Sequence, residues 1–255
     1  MWDHKITTMN LTVKHKKPYS IVPLDKYNIC KYSANPVMNE KSYTLFVDVK
    51  INKEECDKEA GILVRPGMHT GFLFAQPNLL KFCFWFMKND EPAYREVFKL
   101  LTDDDFNEHL FCVATDDAEN KIIKVYINGE LIGEIDYSEY DRKHSYVGTP
   151  YYFGVANPFL VARPFDYYGS FNYRFAGLLD MVVEDIEELK QINEHITTHP
   201  RLGYNIFKED YKYKPNFVFY FDFENQSNYK IWDVSENNNF LCRICLLYTS
   251  DAADD

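Results

Sequence analysis

Residues Lys121–Tyr137 have the sequence KIIKVYINGELIGEIDY, and this stretch decides the fold class. Two strand-like runs, Lys121–Ile127 and Glu130–Tyr137, are separated only by Asn128-Gly129. Alternation of apolar and polar residues with a period of two is typical of a half-buried strand. Asn-Gly is the strongest short-range hairpin signal, because both residues tolerate the positive φ that a two-residue turn needs. The stretch therefore predicts an antiparallel β-hairpin.

The same pattern continues along most of the chain. Further strand-like runs are separated by short turn segments such as Pro66-Gly67 and Asn89-Asp90. Many short strands with regular turns indicate an all-β sandwich or barrel. One helix is predicted at about Glu184–Ile196, where apolar residues recur at helical spacing. The other predicted strands are Tyr43–Ile51, Gly61–Arg65, Gly71–Gln76, Leu80–Met87, Tyr94–Leu100, Glu108–Thr115, Pro150–Ala156, Arg174–Glu184 and Phe217–Phe223.

Composition excludes some classes of protein. The chain has 255 residues, 46% hydrophobic content and a formal net charge of -11. This acidic balance argues against nucleic-acid binding, which needs clustered Lys and Arg. No run approaches the ~18 consecutive apolar residues that a membrane-spanning helix needs. Cys83 and Cys112 lie inside apolar runs, which predicts buried free thiols rather than a disulfide framework.

Three segments, in order, resemble the laminin-G-like branch of the concanavalin A-like jelly-roll superfamily. The first is Asn107–Ile132, with His109 in a strand, an acidic turn, and a second strand that ends in Tyr126-Ile-Asn128-Gly129. The others are Tyr152–Ala156, a strand that carries a glycine, and Phe175–Ile192, a closing strand followed by a short helix. The resemblance implies an antiparallel β-sandwich of jelly-roll type with one short C-terminal helix, over residues 39–198.

The rest of the chain is assigned around this domain. Residues 1–38 are an N-terminal segment that can supply the first strands, and 199–215, with two prolines and a glycine, are predicted as a linker. Residues 216–244 resemble the opening of another such domain, so they are either the start of a second, truncated copy or a late strand of the first. Residues 245–255 (CLLYTSDAADD) resemble a translated sequencing adapter, so the chain is expected to be a metagenomic fragment.

The resemblance implies a non-catalytic module that binds a glycan or a protein, within a larger surface or secreted protein. A divergent glycoside hydrolase and a structural spacer in a repeat array remain alternatives. Glu134, Asp136 and Glu139 have the ExDxxE spacing of laminarinase-type active sites. Retaining hydrolysis needs two carboxylates about 5–5.5 Å apart. In those enzymes, however, the carboxylate strand precedes the Asn-Gly or Asp-Gly turn, and here it follows the turn. No catalytic residue is therefore predicted.

A carbohydrate site is predicted around the strand Leu80–Met87. Its three phenylalanines alternate with Trp85, so Trp85 lies on the outer face if the phenylalanines face the core. A flat indole on an outer face can stack on a sugar ring. Tyr94 and Arg95 are its predicted neighbours in the site. The alternative is that a loop covers Trp85 or that the indole fills a second core layer.

The resemblance also implies a calcium ion, because many laminin-G-like domains hold one at the rim of the sandwich. Calcium takes several carboxylate and carbonyl oxygens as ligands, at about 2.3–2.6 Å. The candidate ligands are Asp116, Asp117 and Asp180. A solvated turn for the first two, and a hydrogen-bonded strand end for Asp180, are the competing interpretations.

Overall fold

The computed structural model describes residues 19–23, 42–56, 59–65, 70–89, 91–140, 152–156, 171–198, 205–223, 230–235 and 239–243. These residues form an antiparallel β-sandwich with very little helix, which confirms the fold class predicted from the sequence. The strands are β1 (Tyr19–Pro23), β2 (Tyr43–Ile51), β3 (Glu59–Arg65), β4 (Thr70–Ala75), β5 (Leu79–Lys88), β6 (Glu91–Leu100), β7 (Leu110–Asp117), β8 (Ile122–Ile127), β9 (Glu130–Asp136), β10 (Tyr152–Ala156), β11 (Phe171–Leu179), β12 (Ile196–Thr198), β13 (Asn205–Phe207), β14 (Phe217–Asp222), β15 (Lys230–Trp232) and β16 (Asn239–Arg243). In the described part of the chain, α1 is the α-helix Ile186–Lys190, and 3-10 turns lie at Lys53–Glu55, Ile192–His195 and Lys214–Asn216.

Two sheets make up the sandwich. One has eight strands in the order β15-β16-β1-β10-β3-β4-β5-β6, and the other has six in the order β14-β11-β2-β7-β8-β9. A separate two-stranded sheet is formed by β12 and β13. The β8–β9 hairpin closes as its sequence predicts, because Asn128 and Gly129 have φ angles of +53° and +88°. Positive φ at both central residues is the geometry of the type I′ turn.

The main core lies between the two sheets. Burial along β5 largely alternates with a period of two, whereas β2 is buried at nearly every position because both of its faces are covered. Phe84 and Phe86 stack at 4.5 Å between ring centroids, and Phe86 stacks on Tyr137 at 4.9 Å. The core-facing residues of these two strands are Tyr43, Leu45, Val47, Val49, Ile51, Leu80, Phe82, Phe84 and Phe86.

A second apolar cluster covers the outer side of the six-stranded sheet. The sheet contributes Phe46 and Phe175, and α1 contributes Ile186 and Leu189. Asp185 caps α1, because its Oδ1 accepts a hydrogen bond of 3.1 Å from the Glu188 backbone N–H. The α-helix is shorter than the sequence predicted. It ends at Lys190, and after a 3-10 turn the chain pairs as β12 with β13, which satisfies its backbone groups as a ladder instead.

The C-terminal strands join the same two sheets. Strand β14 pairs with β11, and β16 pairs with β1. Such pairing is what the late-strand alternative for residues 216–244 predicts. The domain boundaries given above stay predictions. Within the predicted linker, the described residues 205–215 pack against the second cluster and bury Tyr211 and Tyr213. Residues 245–255 lie outside the described residues. No helix in the described part of the chain has the length and apolarity needed to cross a bilayer.

Candidate functional site

The candidate site is the outer face of the β5–β6 hairpin. We call it the β5–β6 face. The phenylalanines of β5 fill the core, so the intervening residues of β5 point outward, as the alternation predicted. The antiparallel register then fixes which β6 residues lie beside them. The face is defined by Lys81, Cys83, Trp85, Tyr94, Glu96 and Phe98.

Trp85 and Tyr94 form the aromatic part of this face. They are directly opposite each other in the β5–β6 ladder. Opposed residues of an antiparallel pair have Cβ atoms about 4.5–5.5 Å apart, so the two rings are neighbours. Trp85 is partly buried and Tyr94 is 36% exposed, so part of each ring remains open to solvent. The structure therefore places these two predicted site residues together.

A polar group adjoins the aromatic pair. The Tyr94 hydroxyl donates a hydrogen bond of 2.8 Å to Glu96 Oε2 and lies 2.6 Å from the Sγ of Cys83. Burial raises the pKa of the Cys83 thiol to about 12. Burial, followed by the neighbouring Cys83 and Glu96, also raises the pKa of Tyr94. Both groups are therefore neutral at pH 7, and Cys83 is the buried free thiol that the sequence predicted.

Lys81 links two carboxylates on the same face. Its Nζ lies 3.4 Å from Glu96 Oε2 on β6 and 3.9 Å from Glu59 Oε1 on β3. Glu59, Lys81 and Glu96 therefore form a row of charged side chains that runs from β3 across β4 and β5 to β6. Along β5, Lys81 and Trp85 are four residues apart, which corresponds to roughly 13 Å of extended strand. The face is thus a strip with an ionic end and an aromatic end.

Exposed apolar side chains continue the strip along β6. Phe98 is 55% exposed and lies opposite Lys81 in the ladder, and Leu100 is 64% exposed and lies opposite Leu79. On β4, by contrast, the outward-facing Leu73 is fully buried. On this side of the sheet, Phe98 and Leu100 of β6 are therefore far more accessible than Leu73 of β4.

Arg95, the third predicted ligand-binding residue, points to the other side of the sheet. It follows Tyr94 directly in an extended strand, and consecutive side chains of a strand point to opposite faces. Its guanidinium lies 4.8 Å from the centroid of the Tyr140 ring and donates to the Tyr140 hydroxyl. Arg95 is therefore not part of the β5–β6 face.

The three aspartates proposed for calcium are held separately. Asp116 is buried and its Oδ1 accepts a hydrogen bond of 2.7 Å from the Tyr137 hydroxyl. Asp117 accepts from the backbone and side chain of Asn120, which lowers the pKa of its carboxyl. Asp180 accepts a 3.2 Å bond from Asn216 Nδ2.

These aspartates do not share one site. Asp116 is paired with Tyr43 of β2, whereas Asp180 follows β11 on the opposite side of β2. Two strand spacings, roughly 10 Å, separate their backbones, and each carboxylate is held by a different partner, Tyr137 for Asp116 and Asn216 for Asp180. Among the described residues, no group of three or more His, Cys, Asp or Glu side chains is placed to hold a metal ion. A calcium ion stays a prediction for which these residues supply no joint ligand set.

The acidic residues around β9 belong to solvated ion pairs and turns. Glu134 Oε1 lies 3.7 Å from Lys124 Nζ, and both side chains are about half exposed. The Ser138 backbone N–H donates to Asp136 and lowers its pKa. Lys88 donates to Glu139 at 2.6 Å and lowers its pKa as well. A retaining glycosidase needs one of its carboxyls to have a raised pKa so that it can act as the acid.

Comparison with known proteins supports the fold. No family model and no curated protein matches the chain. It is similar to a Bacteroides ovatus protein provisionally assigned as carbohydrate-binding, with 13% identity and a TM-score of 0.54 over 89% of this chain and 56% of that chain. The chain thus spans little more than half the length of that protein, and the likeness establishes a common β-sandwich fold.

Two weaker similarities are to binding domains of other bacterial proteins. One is the CBM40 domain of the Ruminococcus gnavus IT-sialidase bound to α2,3-sialyllactose, with a TM-score of 0.45 and 16% identity over 60% of this chain and 82% of that chain. The other is the binding domain of botulinum neurotoxin DC in complex with rat synaptotagmin II, with a TM-score of 0.46 and 16% identity over 69% of this chain and 40% of that chain.

Sequence reasoning missed most of the polar part of the β5–β6 face. Glu96 and Phe98 have the same parity as Tyr94 along β6, so alternation alone was sufficient to place them beside it. The contact between Lys81 and Glu59 is different, because it depends on the order of β3, β4 and β5 in the sheet. No local pattern in the sequence specifies that order.

Proposed function

We propose that this chain is a non-catalytic binding module that takes a glycan on the β5–β6 face. The observation that carries the proposal is the pair of adjacent, partly exposed rings of Trp85 and Tyr94 beside charged side chains. Aromatic rings bind the apolar face of a sugar, and a few fixed polar groups orient its hydroxyls. This face provides both kinds of group on one rigid hairpin.

The absence of a catalytic role is part of the same proposal. Hydrogen bonds lower the pKa of both Asp136 and Glu139, so both carboxyls are ionised at neutral pH. A general acid requires the opposite shift. The carboxylates of the β9 region therefore favour a binding module over a glycoside hydrolase.

We also propose that the module belongs to the laminin-G-like, concanavalin A-like branch and forms part of a larger surface or secreted protein. The positive-φ Asn128-Gly129 hairpin and His109, whose Nδ1 lies 2.7 Å from Asp48 Oδ1, support this assignment. The provisional assignment of the Bacteroides ovatus protein agrees with a glycan-binding role, although that similarity by itself concerns the fold.

A protein ligand is the second candidate, and a separate observation favours it. Phe98 and Leu100 are 55% and 64% exposed at the edge of the same face. Exposed apolar side chains that cluster beside polar ones are typical of protein interaction surfaces. Truncating these two residues while keeping Trp85 separates this candidate from the glycan proposal.

The first test is a glycan array followed by calorimetric titration of the best glycan. We expect Trp85→Ala to weaken binding by at least about two- to twelvefold, because a stacked ring contributes about 0.5–1.5 kcal/mol beyond its area burial and about 1.4 kcal/mol corresponds to tenfold. Trp85→Phe should restore part of the affinity. The control is Leu131→Ala, since Leu131 is 45% exposed on β9 of the other sheet.

Three results would contradict the proposal. The first is that no glycan binds, which is what a structural spacer predicts. The second is a glycan whose affinity is the same in wild type and Trp85→Ala. The third is an equal loss in Trp85→Ala and Leu131→Ala, which would indicate general destabilisation. If a protein partner binds, and this binding is lost only when Phe98 and Leu100 are truncated, the second candidate is favoured.

A further inference from the structure

We infer that the glycan bound on the β5–β6 face is uncharged, and that this face discriminates against acidic sugars such as sialic acids and uronic acids. The inference rests on the proposed function and specifies its ligand class. It is carried by the charges of Glu59, Lys81 and Glu96 and by their unequal accessibility.

The ionic end of the face has a net negative charge. One ammonium, on Lys81, lies between the carboxylates of Glu59 and Glu96 at 3.9 and 3.4 Å. The Lys81 side chain is 17% exposed, whereas those of Glu59 and Glu96 are 28% and 31% exposed. The two acidic side chains are therefore more accessible to an incoming ligand than the Lys81 side chain that would attract an acid.

No second cation of the described face offsets this charge. The other polar groups of the strip, the Cys83 thiol and the Tyr94 hydroxyl, are neutral and bonded to each other or to Glu96. Arg95 lies on the opposite side of β6, where its guanidinium contacts Tyr140. A carboxylate ligand on the strip would therefore approach like charges, and the ammonium of Lys81 is already paired with both of these carboxylates. The net charge of the whole chain, -11, adds to that repulsion.

A neutral sugar is not repelled by these carboxylates and can bind to them. Sugar hydroxyls can donate hydrogen bonds to the carboxylates of Glu59 and Glu96, and hydrogen bonds to an ionised acceptor are shorter and stronger than those between neutral groups. The ring face can stack on Trp85 at the other end of the strip. Because the ion pairs already hold the carboxylates in place, little side-chain entropy is lost when the sugar binds.

The experiment compares neutral oligosaccharides with their acidic counterparts, such as lactose with 3′-sialyllactose, on an array and then by calorimetry. We expect the neutral member to bind at least tenfold more tightly at low salt. That ratio should fall as ionic strength rises, because salt screens exposed charges. In the variant Glu59→Gln/Glu96→Gln the ratio should fall to about threefold or less, since the amides still bind hydroxyls but carry no charge.

The matched control is Glu134→Gln/Asp136→Asn. It also removes two negative charges, but from β9 in the other sheet, and it should leave the ratio of neutral to acidic affinity unchanged. If the acidic member binds as well as the neutral one, and that binding is lost in Trp85→Ala, the inference is overturned while the proposed function stands. If the ratio falls equally in both charge variants, the local carboxylates do not set it and the inference is overturned. If neither member of any pair binds, the proposed function is overturned, and the inference with it.

Discussion

Replacing Gly177 by alanine is expected to destabilise the protein, because the added methyl group has no room. A Cβ on Gly177 would lie 2.5 Å from Cζ and 2.9 Å from Cε1 of Phe46. The Phe46 side chain is fully buried on the outer side of β2. Its ring cannot easily move away, because four other rings have their centroids 6.2–6.4 Å from it. These are the rings of Phe111, Phe175, Phe217 and Tyr220.

The expected magnitude follows from two opposing effects. Overpacking a core by one methyl group costs about 1–3 kcal/mol. Alanine also restricts the unfolded chain relative to glycine, which favours folding by about 0.4–1 kcal/mol. These ranges leave a net loss of about 0–2.6 kcal/mol, and the 2.5 Å contact with a ring held on all sides favours the upper part of that range for Gly177→Ala, a measurable part of the ~5–15 kcal/mol by which domains are stable.

A second substitution tests the proposed cause. Phe46→Leu removes the ring atoms that the new methyl group meets, so Gly177→Ala should cost less in that background. Residues in contact show coupling energies of about 0.5–3 kcal/mol in double-mutant cycles. Urea unfolding of the wild type, both single variants and the double variant gives this coupling directly. Additive costs, or a Gly177→Ala variant as stable as the wild type, would refute the packing argument.

Two further predictions concern ionisation. The pKa of Asp117 is lowered by hydrogen bonds from Asn120, so its contribution to stability is present above its unfolded pKa, about 3.9, and is lost as pH falls through the folded pKa. Asn120→Ala should therefore weaken the dependence of urea stability on pH below about 4, and an unchanged slope would contradict this. Burial raises the pKa of Cys83 to about 12, so site-resolved thiol labelling at pH 8 should be much slower for Cys83 in the native protein than in the unfolded chain.

Sequence periodicity was sufficient to predict most of the strands, but β1, β12, β13, β15 and β16 were not among those predicted. The Asn128-Gly129 turn and the facing of Trp85 away from the core both follow from local rules, which the structure confirms. Local rules also show why Arg95 was misplaced. Adjacent residues in a strand point to opposite faces, so alternation along β6 separates Arg95 from Tyr94, although both were predicted for one site.

The order of strands within each sheet was beyond sequence reasoning. The row of Glu59, Lys81 and Glu96 exists because β3, β4, β5 and β6 are consecutive in the eight-stranded sheet. The separation of Asp116 from Asp180 exists because β2 lies between β7 and β11. Both facts depend on the pairing of strands that are far apart in sequence. This pairing is determined by which sheet faces become buried, and no local sequence pattern specifies it.

The outer sides of the two sheets differ in how far they are covered. Helix α1 and the segment around β13 cover the outer side of the six-stranded sheet, where Phe46, Phe175 and Phe217 are buried. On the β5–β6 face, by contrast, Trp85 is held by its neighbours yet only partly buried. A ring that is already fixed loses little conformational freedom when a ligand stacks on it, and the same holds for carboxylates fixed by Lys81. Binding at this face should therefore leave the hairpin backbone nearly unchanged, and its affinity should depend on the identity of the side chains rather than on loop closure.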